Sequence, residues 1–348
     1  MSLNVKDFGA KGNGGDDTAA FTTAINAANG DTVLVPPGQY GITYIQTANP
    51  IKLQGTGWES SVIRALTPTQ NVFATSSTAP CYFNRLGFAA NVIRTDGAYI
   101  KFDTTQTPNF GTRISDCNFD HAFTGVDFVD AAGWAVSGCY CTNYNIGISV
   151  ANQLSPDAGD STLTANIFDA GNTSGIAVAQ WSSGGLRITN NKFLHGAYHY
   201  LGQFVSAPSN TSILLFNDNS SEAASAVNFA INSQNGTTFG LVTMDGNEFS
   251  VGTGATGVLI QDPGYAYFSS AMIGGNMFNL AANATAMCFN RGSRLTIDVN
   301  NMSGNGAGSN GIIFSPNVTS AFLMPQDMAG VTNTYIGLNS KIKMPVKL

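Results

Sequence analysis

Charge is what this 348-residue chain has least of: Asp, Glu, Lys and Arg make up 10% of it, with 15 basic residues, 21 acidic ones and three histidines. The net charge of −6 and the lack of any basic cluster exclude a nucleic-acid surface. No apolar run approaches the roughly 20 residues of a membrane span, which excludes helical membrane insertion. Cysteine is scarce and odd in number, five in all, with no metal-type spacing. Cys139 falls in the Asn column of a repeat and Cys141 at one of its anchors, so they read as opposite-facing neighbours rather than a disulfide or zinc pair, and free, mostly buried thiols suit folding in a reducing cytoplasm. Met1-Ser-Leu3 leads straight into folded-looking sequence, so a secretory leader is either absent or already removed.

What is present is a repeat. Leu186-Arg-Ile-Thr-Asn-Asn-Lys-Phe193, Val242-Thr-Met-Asp-Gly-Asn-Glu-Phe249 and Ala271-Met-Ile-Gly-Gly-Asn-Met-Phe278 each read as a short strand, a polar corner and an Asn two places before an aromatic. The final residue serves as an anchor that recurs at Phe88, Phe119, Cys141, Phe168, Phe193, Ser221, Phe249, Phe278, Met302 and Met328. Five places before each anchor stand Phe83, Ile114, Val136, Leu163, Ile188, Phe216, Met244, Ile273, Ile297 and Leu323, all apolar. Two places before stand Asn166, Asn191, Asn219, Asn247, Asn276 and Asn300, with Cys117 and Cys139 ahead of them and Gln326 after. Stacked amides of this kind hydrogen-bond along a repetitive β structure, so the asparagines predict a structural ladder.

After each anchor a second strand begins, as in Gly125-Val-Asp-Phe128, Gly147-Ile-Ser-Val150, Gly175-Ile-Ala-Val178, Gly257-Val-Leu-Ile260 and Gly311-Ile-Ile-Phe314. A unit of about 25 residues that cannot bury its own face must stack on copies of itself. The predicted fold is all-β: a right-handed parallel β-helix of about ten or more coils. Residues 1–40 break the pattern with a leading strand, a helix from Asp17 to Ala28 and the strand before Pro36-Pro37. Asp16 or Asp17 can cap that helix, and Phe21, Ala24, Ile25 and Ala28 give it one apolar face, so it reads as a lid on the open first coil. Residues 41–315 hold the coils and 316–348 a last rung with a capping or subunit-contact tail, in one structural domain.

Val5-Lys-Asp-Phe-Gly-Ala-Lys-Gly12, Asp16-Asp-Thr18, Val33-Leu-Val-Pro-Pro-Gly-Gln-Tyr40, Ile51-Lys-Leu-Gln-Gly-Thr-Gly57 and Ser61-Val-Ile-Arg64 together resemble the N-terminal signature of the pectate-lyase-like superfamily. The resemblance implies a single-stranded right-handed parallel β-helix and carbohydrate-directed chemistry. The superfamily includes plant-type polygalacturonases, polysaccharide lyases and bacteriophage tailspikes. The polygalacturonase motifs are missing: the coils hold no Asp-Asp pair, Leu194-His-Gly-Ala197 is a fragment, and Arg187-Ile188 is followed by Thr189. That reaction does not carry over.

Columns become a surface map if coils stack about 4.8 Å apart. Asp245 and Glu248 flank one corner and Asp218 and Glu222 the preceding one, with Lys192 a rung further down in Glu248's column. Carboxylates about 5–10 Å apart span both separations used in glycoside hydrolysis, so these four are the first catalytic candidates. A second spot is Asp120, His121 and Asp127, with Asp116 and Arg113 nearby; Asp120 shares its column with Asp169 and Glu222. There a His can serve as base and an Arg can neutralise a uronate. Tyr140, Trp181 and Tyr198, with Tyr144, Tyr265 and Tyr267, are candidate sugar platforms beside Lys192, whereas Trp134 falls in an inward column.

The resemblance, the missing leader and the unpaired thiols point first to a homotrimeric tailspike-like depolymerase on a virion tail. It would be made in the host cytoplasm and would cleave a bacterial surface polysaccharide without metal or cofactor. The alternatives are a secreted lyase of acidic glycans, which would use calcium, and a non-catalytic receptor-binding or structural tail protein.

Overall fold

A computed structural model describes residues 3–345 apart from 91–93, 104–108, 130, 152–159, 182–184, 205–212, 233–237, 262–266, 293 and 306; the side chains of 238, 239 and 267–269 are also left out. Short strands follow one another through three parallel sheets of 14, 13 and 12 strands, so each circuit of the chain adds one rung to every sheet. The result is a right-handed parallel β-helix, the hand expected of parallel crossovers.

The anchors pair rung to rung along the second sheet, from Phe88 on Phe119 to Met302 on Met328. The column five places earlier does the same along the first sheet, from Phe83 on Ile114 to Ile297 on Leu323. Both columns point inward. Their rings stack, Phe88 on Phe119 at 4.9 Å, Phe168 on Phe193 at 5.2 Å and Phe249 on Phe278 at 4.9 Å between centroids. Trp134 is buried, as its column predicts, and stacks on Phe128 at 4.0 Å.

Between those sheets the asparagines form a continuous chain. Asn166 gives both its backbone N–H and its side-chain amide to Asn191 Oδ1, each at 3.0 Å, and Asn191 treats Asn219 likewise. The pattern runs through Asn247 and Asn276 to Asn300, which donates to Gln326 Oε1. Below Asn166 the column continues as Cys139 and Cys117, whose thiols donate to the carbonyls two residues back, the acceptor type that Asn191 and Asn276 also use. Satisfied donors at a buried corner are what let a tight bend sit inside the molecule.

The third-sheet strands correct one register. Ile148 pairs with Val178, so Ala177, not Gly175, takes Gly147's place. A Cβ at Gly147 would press on the Ala177 carbonyl and the Phe168 ring, which explains the small residue.

Helix α1, Thr18–Ala28, buries Ala20, Phe21, Ala24, Ile25 and Ala28, and Phe21 packs edge-on against Tyr40 at 5.4 Å over the open first coil. The two aspartates divide the work at its start. Asp16 Oδ1 accepts from Thr18 N–H, whereas Asp17 caps nothing with its side chain and instead accepts from Lys11 and Gly12 N–H, tying down the glycine-rich loop. At the other end Ile342–Lys343 adds a last strand beside Ala321–Leu323.

Candidate functional site

The second sheet's outer face carries a polar strip. Asp120, Thr142, Asp169, Leu194, Glu222 and Ser250 stand in one column, and Tyr140, Ile167, Lys192, Ser220 and Glu248 in its neighbour. Lys192 Nζ pairs with Glu222 Oε1 at 3.3 Å and His195 Nδ1 with Asp169 Oδ1 at 2.9 Å, both beside Leu194. His121 Nδ1 pairs with Asp120 Oδ2 at 2.8 Å. Burial disfavours the Asp120 carboxylate, but hydrogen bonds from Asn143, His121 and Thr142 outweigh it and hold the carboxyl below its ordinary value.

The two predicted clusters do not hold together as drawn. Glu222 and Glu248 belong to this strip, while Asp218 and Asp245 sit on the corner between the first two sheets, against Gly246 and Gly275 of the next coils. Asp245 faces a recess on the first sheet that it shares with Asp298, Thr243 and Met272. The reason is local: Asp218 adopts φ 56° and Asp245 ends the first-sheet strand, so neither follows the outward direction of the second-sheet strand. Likewise Asp120 and His121 end a second-sheet strand, whereas Asp127 lies around the next bend on the third sheet. Asp116 lies against Gly138, and Arg113 Nη1 donates to the carbonyls of Thr112 and Gly133, so neither joins them.

Asp127 has other company. Lys101, Asp127 and Ser149 are register neighbours on three successive coils of the third sheet. Lys101 Nζ lies 3.2 Å from Asp103 Oδ2, two residues further along the same strand. Burial pushes the Asp127 carboxyl up; a hydrogen bond with Ser149 and the Lys101 ammonium pull it down, Asp103 pushes it up again, and the net result is above the ordinary value. A carboxyl that holds its proton more firmly than usual, beside an exposed and ion-paired one, is the direction of division that acid–base catalysis uses. Across one rung and two residues, backbone positions of Asp103 and Asp127 are about 8 Å apart, which puts both carboxyl groups on one patch of the third sheet's outer face. Lys101 and Asp103 were missed in the sequence, although the alternation of Ala98-Tyr-Ile-Lys-Phe-Asp103 was there to turn both outward.

Among the aromatics, Tyr140, Trp181 and Tyr198 are half-buried. Tyr198 packs on an apolar patch of the third sheet with Leu201 and Val227. Tyr144 is buried, not a surface platform, because it lies under the bend where the chain enters the third sheet. Tyr265 and the Tyr267 side chain fall outside the described residues. All five cysteines are free, and four are buried.

With this geometry in place, comparison with known proteins is informative. A family model for rhamnogalacturonase A/epimerase, pectate lyase-like proteins matches residues 2–200. Mannuronan C5-epimerase AlgE1 of Azotobacter vinelandii is 39% identical over 85 residues, which is 21% of this chain and only 6% of that protein. Among solved structures, the A-module of mannuronan C-5 epimerase AlgE4 from A. vinelandii superimposes with a TM-score of 0.71 at 18% identity, over 99% of this chain and 100% of that one. A point mutant of DFA-IIIase from Arthrobacter chlorophenolicus A6, bound to DFA-III, gives 0.73 at 11% identity over 99% and 98%. The catalytic unit of a GH87 α-1,3-glucanase from Streptomyces thermodiastaticus gives 0.58 at 18% over 95% and 69%. At such identities the structural likeness speaks for the shared fold.

Proposed function

Since the chain belongs to the rhamnogalacturonase A/epimerase, pectate lyase-like family, we propose that it is a carbohydrate-active enzyme whose reacting centre is the Asp127, Asp103 and Lys101 group on the third sheet. The observation that carries this reading is the raised Asp127 carboxyl next to an ion-paired carboxylate. Asp127 gives its proton to the glycosidic oxygen as the bond to the anomeric carbon breaks. Asp103 takes a proton from the water that forms the new bond to that carbon. Lys101 holds Asp103 and steadies negative charge on the substrate. The polar strip of the second sheet, with Tyr140, Lys192 and Glu222, binds the rest of the polymer.

The substrate in this proposal is a bacterial surface polysaccharide, and the setting a homotrimeric tailspike-like depolymerase assembled in the cytoplasm. Support for the setting is the N-terminal resemblance and the five unpaired thiols. The test is release of reducing ends from purified capsules and lipopolysaccharides. Hydrolysis yields new ends without ultraviolet absorbance from an unsaturated uronate and continues in a chelator. New ultraviolet absorbance that a chelator abolishes means a calcium-dependent lyase, and no new ends on any capsule means a binding protein.

A further inference from the structure

Two of the five thiols meet. The flanking pairs Ser115 on Ser137 and Asn118 on Tyr140 place Cys139 directly over Cys117, at the corner where later coils carry the asparagine ladder. Cys117 is 1% exposed and Cys139 2%, and their thiols share a hydrogen bond. Each thiol also reaches back to the carbonyl two residues earlier, Cys117 to Ser115 O at 3.2 Å and Cys139 to Ser137 O at 3.4 Å, so both side chains point the same way. The other three cysteines stand elsewhere. Cys141 lies between Phe119 and Phe168 in the anchor column, Cys81 accepts from Ile51 N–H at 3.3 Å, and Cys288 is on the third sheet.

The corner tolerates a bond between the two sulfurs. Coils rise about 4.8 Å, inside the roughly 4.4–6.8 Å that disulfides span between Cα atoms. Closing the bond removes two S–H donors, but neither carbonyl is left bare. Ser115 O keeps the Arg85 N–H at 3.1 Å and the Asn84 amide at 3.3 Å, and Ser137 O keeps the Asp116 N–H at 3.1 Å. The Cys139 N–H keeps Asn166 Oδ1 at 2.9 Å, because the backbone takes no part. Access is the obstacle. Burial and the neighbouring thiol push the Cys117 thiol well above its ordinary value, and a thiol that is not a thiolate is a poor nucleophile, so the folded interior protects the pair until the corner opens.

We propose that Cys117 and Cys139 are a redox pair that closes into a cross-coil disulfide when the chain folds, or its corner opens, in a medium holding a small disulfide such as oxidised glutathione. The thiolate of one cysteine attacks a sulfur of the small disulfide and expels its other half as a thiol. The thiolate of the second cysteine then attacks the mixed disulfide and expels the remaining half. The protein is oxidised, gaining one S–S bond and losing two hydrogens, and the small disulfide is reduced to two thiols. A chain made with its thiols reduced thus acquires a cross-link in oxidising surroundings, which ties two successive coils and constrains the unfolded chain. Nothing in this pairing depends on the reaction at Asp127.

The test is incubation of the full chain with oxidised glutathione in urea just below its unfolding midpoint, where corners open without global unfolding. Urea is then removed, free thiols are alkylated, and disulfides are mapped by mass spectrometry of proteolytic peptides. Expected are three alkylated cysteines, Cys81, Cys141 and Cys288, and one cross-linked peptide pair holding Cys117 and Cys139. The urea midpoint of this product should lie above that of the same sample treated with a reductant. Cys139→Asn, which extends the amide ladder by one coil, should give neither the cross-link nor the difference in midpoint; if it does not fold, Cys117→Ser serves the same purpose. Five alkylated cysteines, a dominant bond to Cys81, Cys141 or Cys288, glutathione held on Cys117 or Cys139, or a midpoint that the cross-link lowers or leaves unchanged would each overturn the proposal.

Discussion

His199 shows how one residue can depart from a repeat and be accommodated. It is fully buried in a third-sheet column that holds Gly147 and Ala177 on the coils before it and Asn228 on the coil after, and Ser221 replaces an aromatic anchor beside it. Its Nε2 faces the His195 carbonyl at 2.8 Å, which can only accept, so Nε2 carries the proton and Nδ1 accepts from Ser221 Oγ at 2.7 Å; Asn228 then donates to Ser221. Burial holds the imidazole neutral and lowers its pKa to about 4. Between that value and the ordinary 6.5 the unfolded chain binds the extra proton, so the contribution is complete above pH 6.5 and falls as pH drops toward 4. The loss amounts to roughly 3 kcal/mol. Urea melts from neutral to acidic pH should show this decline, and His199→Gln should flatten it even where it is less stable throughout. A second residue-scale expectation concerns Lys101. Its ammonium pulls Asp127 down, so Lys101→Met should raise the Asp127 pKa and move the alkaline limb of the pH–rate profile upward, whereas Asp103→Asn removes a push in the other direction and should move the same feature of any residual activity down.

At the scale of elements the asparagine ladder is the device that holds corners in register. Asn219→Ala would strip both Asn191 donors of their acceptor and abolish the bonds from Asn219 to Ile188 O and Asn247. The Asn191 side-chain amide keeps the carbonyls of Leu163 and Thr189, so one buried donor, the Asn191 backbone N–H, is left without a partner, at a cost of about 1–3 kcal/mol. Chemical melts should register that loss, while Glu248→Gln, an exposed strand residue beside Asn247, should change stability by less than about 0.5 kcal/mol. The ladder and both apolar columns were legible in the sequence because a buried corner and a buried strand face each admit few side chains, so spacing alone exposes them. Outward positions carry no such restriction. Asp218, Glu222, Asp245 and Glu248 looked like one group because the register counts residues along a coil but not the bend between sheets, which separates Asp245 from Glu248. Lys101 and Asp103 escape the pattern for a related reason: the repeating columns lie on the first two sheets, and the third sheet's strands share little in sequence beyond a small residue near their start.

As a whole the molecule is a prism with three outer faces and two ends. Helix α1 covers one end, and a short strand, Ile342–Lys343, extends the first sheet at the other. If the trimer proposed from the sequence forms, light scattering should give three times the 36.3 kDa of one chain; a monomer at micromolar concentration would contradict the tailspike setting but leave the chemistry untouched. Each face bears carboxylates, and the account assigns acid–base work to the third sheet alone, binding to the second, and no catalysis to Asp218 and Asp245. The most direct measurement is therefore the initial rate of reducing-end release from a cleaved polysaccharide by Asp127→Asn, by Glu222→Gln/Glu248→Gln and by Asp218→Asn/Asp245→Asn. Loss of about 10²–10⁴-fold in the first, with the other two still within about tenfold of the parent chain, is the predicted result. An unimpaired Asp127→Asn beside a dead variant of either other group would contradict it.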